Sequence, residues 1–474
     1  MAGSFKTGEP VLRWSWPGTK LFLTGATAFG LSVALLIITA ALRNLSDFSG
    51  VTQLSTLGVK TSHAAWLLVL VGALLVTSGV FLNLWAPGRY QLFWYSRQRL
   101  YAHRFGNPLG LRAGEVLPRL SVTRDRKEGY WVRVDAVSAS VEEITRATAA
   151  LSAGTRGKLE GFAVTDVDED PASRFVRFHF EDVLKDRSIH VGSLADLDSG
   201  DPTKLLVQEG TTIDLETSGS MIIAGKTRSG KTTGVLSLLL QVAAFGPDTH
   251  GSSLVIVDPK QAELSRVPGT VTLDEEGSAK PVLAAMRNLE ATMRERQRFL
   301  GDISEKSGTA QTWWGAGLRP SLLFIDEFVA LRSLLPARAS KDTPGYSQKI
   351  FDDSLRRLIT MGAAAGVFVM ISIAQASAEQ LPTMLRDAFS TRILFRPTKD
   401  EAAFLWDPRL FQALPQTTHG PGDAWFSSTD GIHDSVSLAH FPRFQPGFGE
   451  YRVLGDLLRK YNNPGVSHDT EIER

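Results

Sequence analysis

The chain has 474 residues, of which 43% are apolar and 21% charged, so it is long and apolar enough for two or three packed domains. It contains no cysteine, which excludes disulfides, thiolate metal sites and cysteine nucleophiles. Its nine histidines show no metal-ligand spacing, so we expect any metal to arrive with a ligand. The net charge of +1 excludes little, because the charges are unevenly distributed along the chain.

Two long apolar segments open the chain. Residues 21–42 carry no charge and are bracketed by Lys20 and Arg43, and residues 64–85 form the second segment, with Trp66 and Trp85 near its ends. About 20 apolar residues suffice for a helix to cross a bilayer, and tryptophan is typical of the two interfaces. We therefore predict an N-terminal part, 1–88, with two transmembrane helices. A signal peptide is excluded by the length and the second segment. Two buried helices of a soluble protein are the alternative.

The flanks of these segments predict their orientation. Residues 43–62 hold few charges, whereas residues 89–129 form a basic juxtamembrane segment. The positive-inside rule places this segment, both termini and everything downstream in the cytoplasm, as in a multi-pass protein of the cell membrane. Aromatic and basic residues alternate over 90–104, which favours contact with the lipid bilayer, and a passing polyanion is the alternative.

Residues 130–186 have the pattern of a small α/β domain. The stretch YWVRVDA alternates like a strand, and Ser140 followed by two glutamates is typical of a helix start. Two further strand-like runs follow, without any catalytic constellation, so we interpret this domain as a packing or oligomer-contact module. The remaining chain is divided into a motor domain over 187–442 and a C-terminal tail over 443–474.

The stretch MIIAGKTRSGKTTG has the pattern of a phosphate-binding loop. A short apolar strand precedes it and a helical pattern follows, which is the order that G-x-x-x-x-G-K-[ST] requires. Glycines let successive backbone N–H groups point at phosphate, the lysine reaches the β- and γ-phosphates, and the threonine binds Mg²⁺. The predicted ATP-binding residues are Gly225, Lys226, Thr227, Arg228, Ser229, Gly230, Lys231, Thr232 and Thr233.

A second motif, SLLFIDEF over 321–328, is an apolar run that ends in two carboxylates. Ligands bind at the carboxyl ends of parallel strands, so Asp326 is predicted to hold Mg²⁺ together with Thr232, and Glu327 to orient or deprotonate the attacking water. The alternative is that Asp326 and Glu327 merely begin a helix after a core strand.

Two more apolar runs end in polar residues. Asp258 and Lys260 follow one of them, and Gln375 follows the other. A glutamine there would sense the γ-phosphate or position water, and an ordinary strand-end cap is its alternative. Four such runs alternating with helical patterns predict a parallel, doubly wound α/β sheet.

Phosphoryl transfer also needs a positive charge beside the γ-phosphate, and motors often take it from a neighbouring subunit. The stretch LRDAFSTRILFRP offers Arg386, Arg392 and Arg396. We expect Arg392 first, then Arg386, with surface or salt-bridge arginines as the alternative. The predicted catalytic residues are thus Lys231, Glu327, Gln375 and Arg392.

Taken together, residues from about 189 to 426 resemble the motor domain of the FtsK/SpoIIIE DNA translocases. The stretches that carry the resemblance are IIAGKTRSGKTTG, VIVDPKQAEL, NLEATMRERQRFL, LLFIDEFVALR, FSTRILFRPTKDEAAFLWD and HGPGDAWF. The resemblance implies a RecA-like P-loop ATPase that uses ATP and Mg²⁺, preceded here by two transmembrane helices and the small α/β domain.

Within this family, LPTMLRDAFSTRILFR is most similar to the translocases of actinobacterial conjugative plasmids and integrative elements. That similarity implies a homo-oligomer, a hexameric ring, that moves double-stranded DNA between cells with conjugation partner proteins. Chromosome-segregating members carry arginines where this chain has Ala363 and Ala376, which disfavours that role. The tail is too short for a winged-helix module that recognises DNA sequence.

Three other functions stay open at this stage. A type IV coupling protein would move single-stranded DNA and relaxases, and a type VII ATPase would export proteins. A membrane scaffold with an inactive nucleotide site is disfavoured because Lys231, Thr232, Asp326 and Glu327 are all present.

Overall fold

The computed structural model describes residues 17–49, 52–84, 88–101, 108–111, 115–125, 129–152, 159–248, 250, 253–341, 343, 345–411, 414, 420–431 and 433–461. Trp85, residues 462–474 of the C-terminal tail and four of the basic residues after the second apolar segment, Arg104, Arg112, Arg126 and Lys127, lie outside these residues. The chain divides into two compact units, Met1–Asp182 and Val183–Arg474.

The first unit begins with two long helices, α1 (Pro17–Ser49) and α2 (Thr52–Leu84). Their stretches Leu21–Phe48 and Thr56–Phe81 are long and apolar enough to cross a membrane, and they overlap both predicted apolar segments. Both helices continue into the predicted loop 43–62. Polar side chains end an apolar segment but do not interrupt helical backbone hydrogen bonds, so the apolar limits underestimate the helices.

The two helices pack closely along small residues. A Cβ atom on Gly25 would lie 2.8 Å from the Gly72 carbonyl oxygen, and one on Gly72 would lie 3.1 Å from the Gly25 oxygen. The Thr39 hydroxyl donates a hydrogen bond to the Thr61 hydroxyl at 2.9 Å. Small residues and hydroxyl bonds of this kind are typical of helix pairs in membranes.

A four-stranded antiparallel sheet completes the first unit, with strand order β1-β2-β4-β3. Its elements are α3 (Gly88–Tyr101), β1 (Leu120–Arg124), β2 (Tyr130–Asp135), α4 (Val141–Arg146), α5 (Thr148–Ser152), β3 (Phe162–Glu169) and β4 (Phe175–Asp182). Alternate residues form a buried face, namely Val122, Val132, Val134, Val176, Phe178 and Phe180. The helix start predicted at Ser140 is present, with a capping box to Glu143.

The structure moves the beginning of this domain toward the N-terminus. We predicted a separate basic segment over 89–129, but α3 packs against β1, β2 and α5, and β1 pairs with β2. Leu92 and Tyr101 of α3 are buried, and the Tyr101 hydroxyl donates to the Pro118 carbonyl at 2.7 Å. The basic residues of this segment concealed a helix that packs on the sheet, with Leu92, Leu100 and Tyr101 among its buried side chains. The unit ends at Asp182, before the predicted limit of 186.

The second unit is built around a seven-stranded sheet with the order β14-β13-β12-β8-β11-β10-β9. Its strands and helices are β5 (His190–Val191), β6 (Lys204–Gln208), β7 (Thr211–Asp214), β8 (Met221–Gly225), α6 (Lys231–Phe245), β9 (Leu254–Val257), α7 (Lys280–Ser307), β10 (Ser321–Ile325), α8 (Phe328–Ser333), α9 (Gln348–Gly362), β11 (Val367–Ile373), α10 (Thr383–Ala388), β12 (Thr391–Phe395), α11 (Lys399–Leu405), β13 (Asp423–Ser428), β14 (Ser437–His440), β15 (Arg443–Phe444) and α12 (Glu450–Tyr461).

Five neighbouring strands, β9, β10, β11, β8 and β12, are parallel, which confirms the predicted parallel α/β sheet. Every residue of β8, β10 and β11 is buried, as expected for strands covered on both faces. The sequence analysis did not anticipate that β13 and β14 extend one edge as antiparallel strands. The carboxyl ends of the five parallel strands lie at one edge, where α/β proteins bind ligands.

Trp313 belongs to the core of the second unit. Its side chain is completely buried and its ring packs against Phe368, with centroids 5.9 Å apart. Gly366, with a φ of +66°, leaves room for the indole, because a Cβ atom there would lie 2.8 Å from a ring carbon. Trp314 is only partly buried beside it.

Candidate nucleotide-binding site

The phosphate loop joins β8 to α6 at the carboxyl edge of the sheet. Gly225 and Gly230 have φ angles of +158° and +91°, and Arg228 also adopts a left-handed conformation with φ of +62°. Two glycines therefore permit the sharp turn that aims backbone N–H groups into the loop. Lys226, Thr227, Arg228 and Thr232 are exposed, Gly230, Lys231 and Thr233 are partly buried, and Gly225 and Ser229 are buried.

A second turn, 420–423, supports the phosphate loop from the side. The Gly422 N–H donates to the Ser229 carbonyl at 2.9 Å. A Cβ atom on Gly230 would lie 2.1 Å from the Gly422 nitrogen, so the two backbones are in direct contact. Asp423, almost fully buried, accepts a hydrogen bond from the Gly420 N–H at 2.9 Å and contacts His440 Nδ1 at 3.0 Å. The sequence contained this Gly-x-Gly-Asp turn, but its role as a support for the loop comes from the structure.

The Lys231 ammonium points along the end of the neighbouring strand β11. Its Nζ donates to the Ser372 hydroxyl at 2.8 Å and to the Ile373 carbonyl at 3.4 Å, and lies 3.7 Å from Glu327 Oε1. Lys231 is thus held next to the acidic motif by partners that a phosphate group would replace. Ser372 was not predicted, because a lone serine inside a long apolar run carries little signal.

Asp326 and Glu327 follow β10 directly, as predicted. Burial raises the pKa of the Asp326 carboxyl above its usual range, against the opposing effects of the Lys231 ammonium and a hydrogen bond with Ser372. A partly buried carboxylate beside Lys231 therefore gains from a cation that keeps it ionised.

Glu327 has a left-handed backbone conformation, with φ of 48° and ψ of 56°, and it is the N-cap of α8. Its Oε1 atom lies 3.2 Å from Lys260 Nζ and 3.7 Å from Lys231 Nζ. Such a backbone costs about 1–3 kcal/mol in a non-glycine residue and is typical of functional sites. The contact with Lys260 was missed, because β9 and β10 are neighbours in the sheet but far apart in sequence.

Asp258, at the end of β9, has a structural part in this arrangement. It is fully buried and accepts hydrogen bonds from the backbone N–H groups of Lys260, Ala262 and Ser265, at 3.1, 2.8 and 2.9 Å. The Asp258 carboxylate therefore fixes the turn from which Lys260 reaches Glu327.

Gln375 also lies at the carboxyl edge, two residues after β11, and is exposed. A cavity of about 450 Å³ is lined by Gln375, by Lys226 of the phosphate loop and by residues of α11. Gln375 therefore lies near the phosphate loop, because it follows β11, the strand between β8 and β10 in the sheet.

Arg392 is the predicted site residue that the structure does not bring to this edge. It pairs with Ile222 near the start of β12, whereas Phe395 at the other end pairs with Gly225. Its guanidinium donates to the carbonyl oxygens of Phe389 and Arg386, at 3.4 and 3.5 Å, and to that of Leu405. Within one chain Arg392 therefore caps two helix ends, and its action on a neighbouring subunit stays a prediction. Arg386 is likewise bonded to the Phe404 carbonyl at 2.8 Å.

The residues at this edge fit a nucleotide with its metal. Among the described residues, no cluster of three or more His, Cys, Asp or Glu side chains could hold a metal ion. Mg²⁺ is commonly bound by one or two protein oxygens together with substrate phosphates, and Thr232 and Asp326 supply oxygens of this kind. The exposed Thr232 hydroxyl in the first turn of α6 and the carboxylate at the end of β10 therefore match a metal that enters with ATP.

Two solved structures show a likeness to this chain. The pCW3 conjugation coupling protein TcpA, in a monomer form with ATPγS, aligns with a TM-score of 0.43 and 15% identity, covering 71% of this chain and 92% of that one. The cytoplasmic domain of the Thermomonospora curvata type VII secretion ATPase EccC aligns with a TM-score of 0.39 and 17% identity, covering 58% of this chain and 34% of that one.

Sequence comparison relates part of the chain to a known family. Residues 200–384 match the model of the FtsK/SpoIIIE family. YdcQ of Bacillus subtilis, an FtsK domain-containing protein, is 27% identical over 173 residues, which are 36% of this chain and 33% of that protein. DNA translocase FtsK of Caulobacter vibrioides is 25% identical over 288 residues, 53% of this chain and 32% of that protein. The ESX-4 secretion system protein EccC4 of Mycobacterium tuberculosis is 28% identical over 244 residues, 48% of this chain and 17% of that protein. The matches thus span about a third or less of each curated relative.

Proposed function

We propose that the protein is a membrane-anchored, ATP-driven DNA translocase, because residues 200–384 match the model of the FtsK/SpoIIIE family. The observation that carries this proposal is the cluster of Lys231, Asp326 and Glu327 at the carboxyl edge of the sheet, next to a glycine-built phosphate loop. The cargo is double-stranded DNA, and the transfer between cells is conjugative.

The geometry supports the following division of roles in ATP hydrolysis. The phosphate loop binds the nucleotide through backbone N–H groups, and Lys231 exchanges Ser372 and Glu327 for phosphate oxygens. Thr232 and Asp326 hold Mg²⁺, which neutralises phosphate charge when bound. Glu327 then orients and deprotonates the attacking water, and Gln375 responds to the γ-phosphate.

The membrane and oligomer assignments belong to the same proposal. The apolar surfaces of α1 and α2 support a two-span anchor, with both termini and the ATPase in the cytoplasm. A homo-oligomer, in the form of a hexameric ring, would bring a neighbour's arginine to each nucleotide site, with Arg392 first among the candidates. Positions 363 and 376, where chromosome-segregating relatives carry arginines, hold alanines in this chain. The positive charge that acts on a neighbour's nucleotide site must therefore come from another residue.

One observation favours a second candidate function, protein export of the type VII kind. The similarity to EccC4, a protein of the ESX-4 secretion system, reaches 28% identity over 244 residues, at least as high as that to the DNA translocases named above. A single-strand DNA and relaxase pump of the coupling-protein type is the other alternative for the cargo.

The test is ATP turnover by the detergent-solubilised chain with linear duplex DNA, single-stranded DNA or no DNA. Lys231→Ala is the blank, since it removes the ammonium that reaches the phosphates. Stimulation by duplex that weakens with salt would support the proposal. Stimulation by single strands alone would favour the coupling-protein function, and an active ATPase that neither DNA stimulates would favour protein cargo.

A further inference from the structure

We propose that the groove between α7 and α9 is a second phosphate-binding site, separate from the phosphate loop, and that it holds a backbone phosphate of duplex DNA. This inference rests on the proposed function for the identity of its ligand. The groove site is defined by Arg287, Glu290 and Arg294 of α7 and by Ser354 and Arg357 of α9, which line one cavity of about 360 Å³.

Glu290 organises the groove site. Its side chain is only 7% exposed, and its two carboxylate oxygens bind different arginines. Arg294 Nη2 lies 3.2 Å from Oε2, and Arg357 Nη2 lies 3.0 Å from Oε1, which also accepts a hydrogen bond from the Ser354 hydroxyl. A buried carboxylate with three donors holds two mobile guanidinium groups in defined positions, so the site is pre-organised.

The charges of the groove site are not balanced. Three guanidinium groups against one carboxylate leave two positive charges in one cavity. Arg287 forms no ion pair with any described residue, and its Nε donates to the Leu283 carbonyl of its own helix at 3.3 Å. The neighbouring Arg356 differs from Arg287, because it forms a salt bridge with Asp353 at 2.8 Å. The cavity therefore concentrates positive charge that its own acid cannot neutralise.

The excess of positive charge in the groove site indicates which ligand it binds. Guanidinium groups match the oxygens of phosphate with paired hydrogen bonds, and two uncompensated charges exceed what a single carboxylate would neutralise. A phosphodiester backbone presents anionic groups one after another, so a neighbouring phosphate can use the second charge. Duplex DNA thus fits the groove site better than an acidic side chain of another copy.

The experiment measures duplex affinity against salt concentration for the full-length chain in detergent. Arg287→Gln is the test variant, since this arginine does not support Glu290. Arg298→Gln is the matched control, because Arg298 lies on the same helix, does not line the cavity and, among the described residues, donates only to the Arg294 carbonyl. We expect Arg287→Gln to reduce the salt slope of the logarithm of affinity by about one, and to weaken binding roughly tenfold at low salt, with the control unchanged. Equal slopes for both variants and the wild type would overturn the proposal.

A second arm separates this proposal from the translocase proposal. Pyrophosphate is titrated calorimetrically into the Lys231→Ala chain, whose phosphate loop is disabled, with and without Arg287→Gln. If pyrophosphate binding disappears with Arg287→Gln, the groove is a phosphate site. This holds even if the wild type binds no DNA, a result that would contradict only the proposed DNA function. If no pyrophosphate binds, the groove site is not a phosphate site. The same conclusion would follow if Arg287→Gln lowered the mass of the oligomer but left the salt slope of DNA affinity unchanged. Unchanged melting temperatures confirm that the variants fold.

Discussion

At the scale of single residues, the position of Glu327 between two ammonium groups is the feature with the clearest consequence. Lys231 and Lys260 both approach the same oxygen, at 3.7 and 3.2 Å. Under the proposed function Lys231 would turn to the phosphates of a bound nucleotide, and Lys260 would remain as the partner that keeps Glu327 in place. The salt bridge between Lys260 and Glu327 contributes little to the free energy of unfolding, because Lys260 is half-exposed. We therefore expect the loss of this salt bridge to affect catalysis.

Replacing Lys260 by methionine should lower kcat for ATP roughly tenfold, with KM nearly unchanged, because the base loses its orientation but the phosphates keep theirs. Lys260→Arg should retain most of the activity. In a Glu327→Gln background the same change should have no further effect. Steady-state kinetics of the four variants checks this, and a large rise in KM would show instead that Lys260 binds the nucleotide.

The raised pKa of Asp326 predicts two responses to pH. As the pH falls toward the raised value, protons compete with Mg²⁺, so Mg-dependent ATP binding should weaken, and Asp326→Asn should remove this dependence. Because burial raises the pKa of Asp326 in the folded state above the ordinary value of an aspartate, its ionised form destabilises the fold at pH values above that ordinary pKa, and the effect disappears as the pH falls below it. Asp326→Asn should thus raise the melting temperature more at neutral than at acid pH. A larger gain at acid pH would contradict the assigned direction.

At the scale of elements, the joint between β8 and α6 depends on backbone contacts that side chains would block. Gly230 contacts Gly422 of the supporting turn, which leads into β13. This contact therefore packs the phosphate loop against the antiparallel edge strands β13 and β14. The edge strands are therefore part of the site's support, which explains why a parallel nucleotide-binding sheet has this extension.

Gly230→Ala should abolish nucleotide binding and lower the free energy of unfolding by more than about 2 kcal/mol, because strain at positive φ adds to a clash with backbone. Gly246→Ala is the control, since Gly246 also has positive φ, of 74°, but nothing within 4 Å of an added Cβ atom. It should cost only about 1–2 kcal/mol and leave binding intact. Chemical denaturation and a fluorescent-nucleotide titration give both quantities; equal losses in the two variants would argue against the contact.

At the scale of the whole molecule, the chain combines an apolar helical hairpin with an ATPase domain. Leu31, Leu67 and Leu70 are more than half exposed on α1 and α2, an apolar surface that water would not tolerate over this length. The two apolar helices and the residues of the nucleotide site are on different compact units, so they should be separable.

The full-length chain should stay in the membrane pellet after alkaline carbonate washing, whereas a chain that begins at residue 88 should appear in the supernatant. The shortened chain should still bind ATP, because the complete nucleotide site lies in the second unit. Fractionation followed by a nucleotide-binding assay measures both. Recovery of the full-length chain in the washed supernatant would exclude a spanning hairpin.

Several features could be predicted from sequence because their signals are contiguous. The phosphate loop from Gly225 to Thr232, the acidic pair after a buried strand and the two apolar segments each lie within one short stretch of chain. The positions of Lys260 and Ser372 could not be predicted, because they depend on which strands become neighbours. Arg392 shows the same limit, since only the strand register reveals that it lies at the far end of β12.

A phosphate loop, an acid predicted to bind Mg²⁺, a parallel sheet and two apolar N-terminal segments followed from the sequence, because local composition sets these features through backbone conformation and burial. How these features are arranged in space followed from the fold alone. The order β9-β10-β11-β8-β12 brings Lys260, Glu327, Ser372 and Lys231 together, and the packing of α7 on α9 creates an arginine site around Glu290. The physical reason is that strand order and helix packing minimise exposed apolar area over the whole unit, a quantity that no short stretch of chain contains.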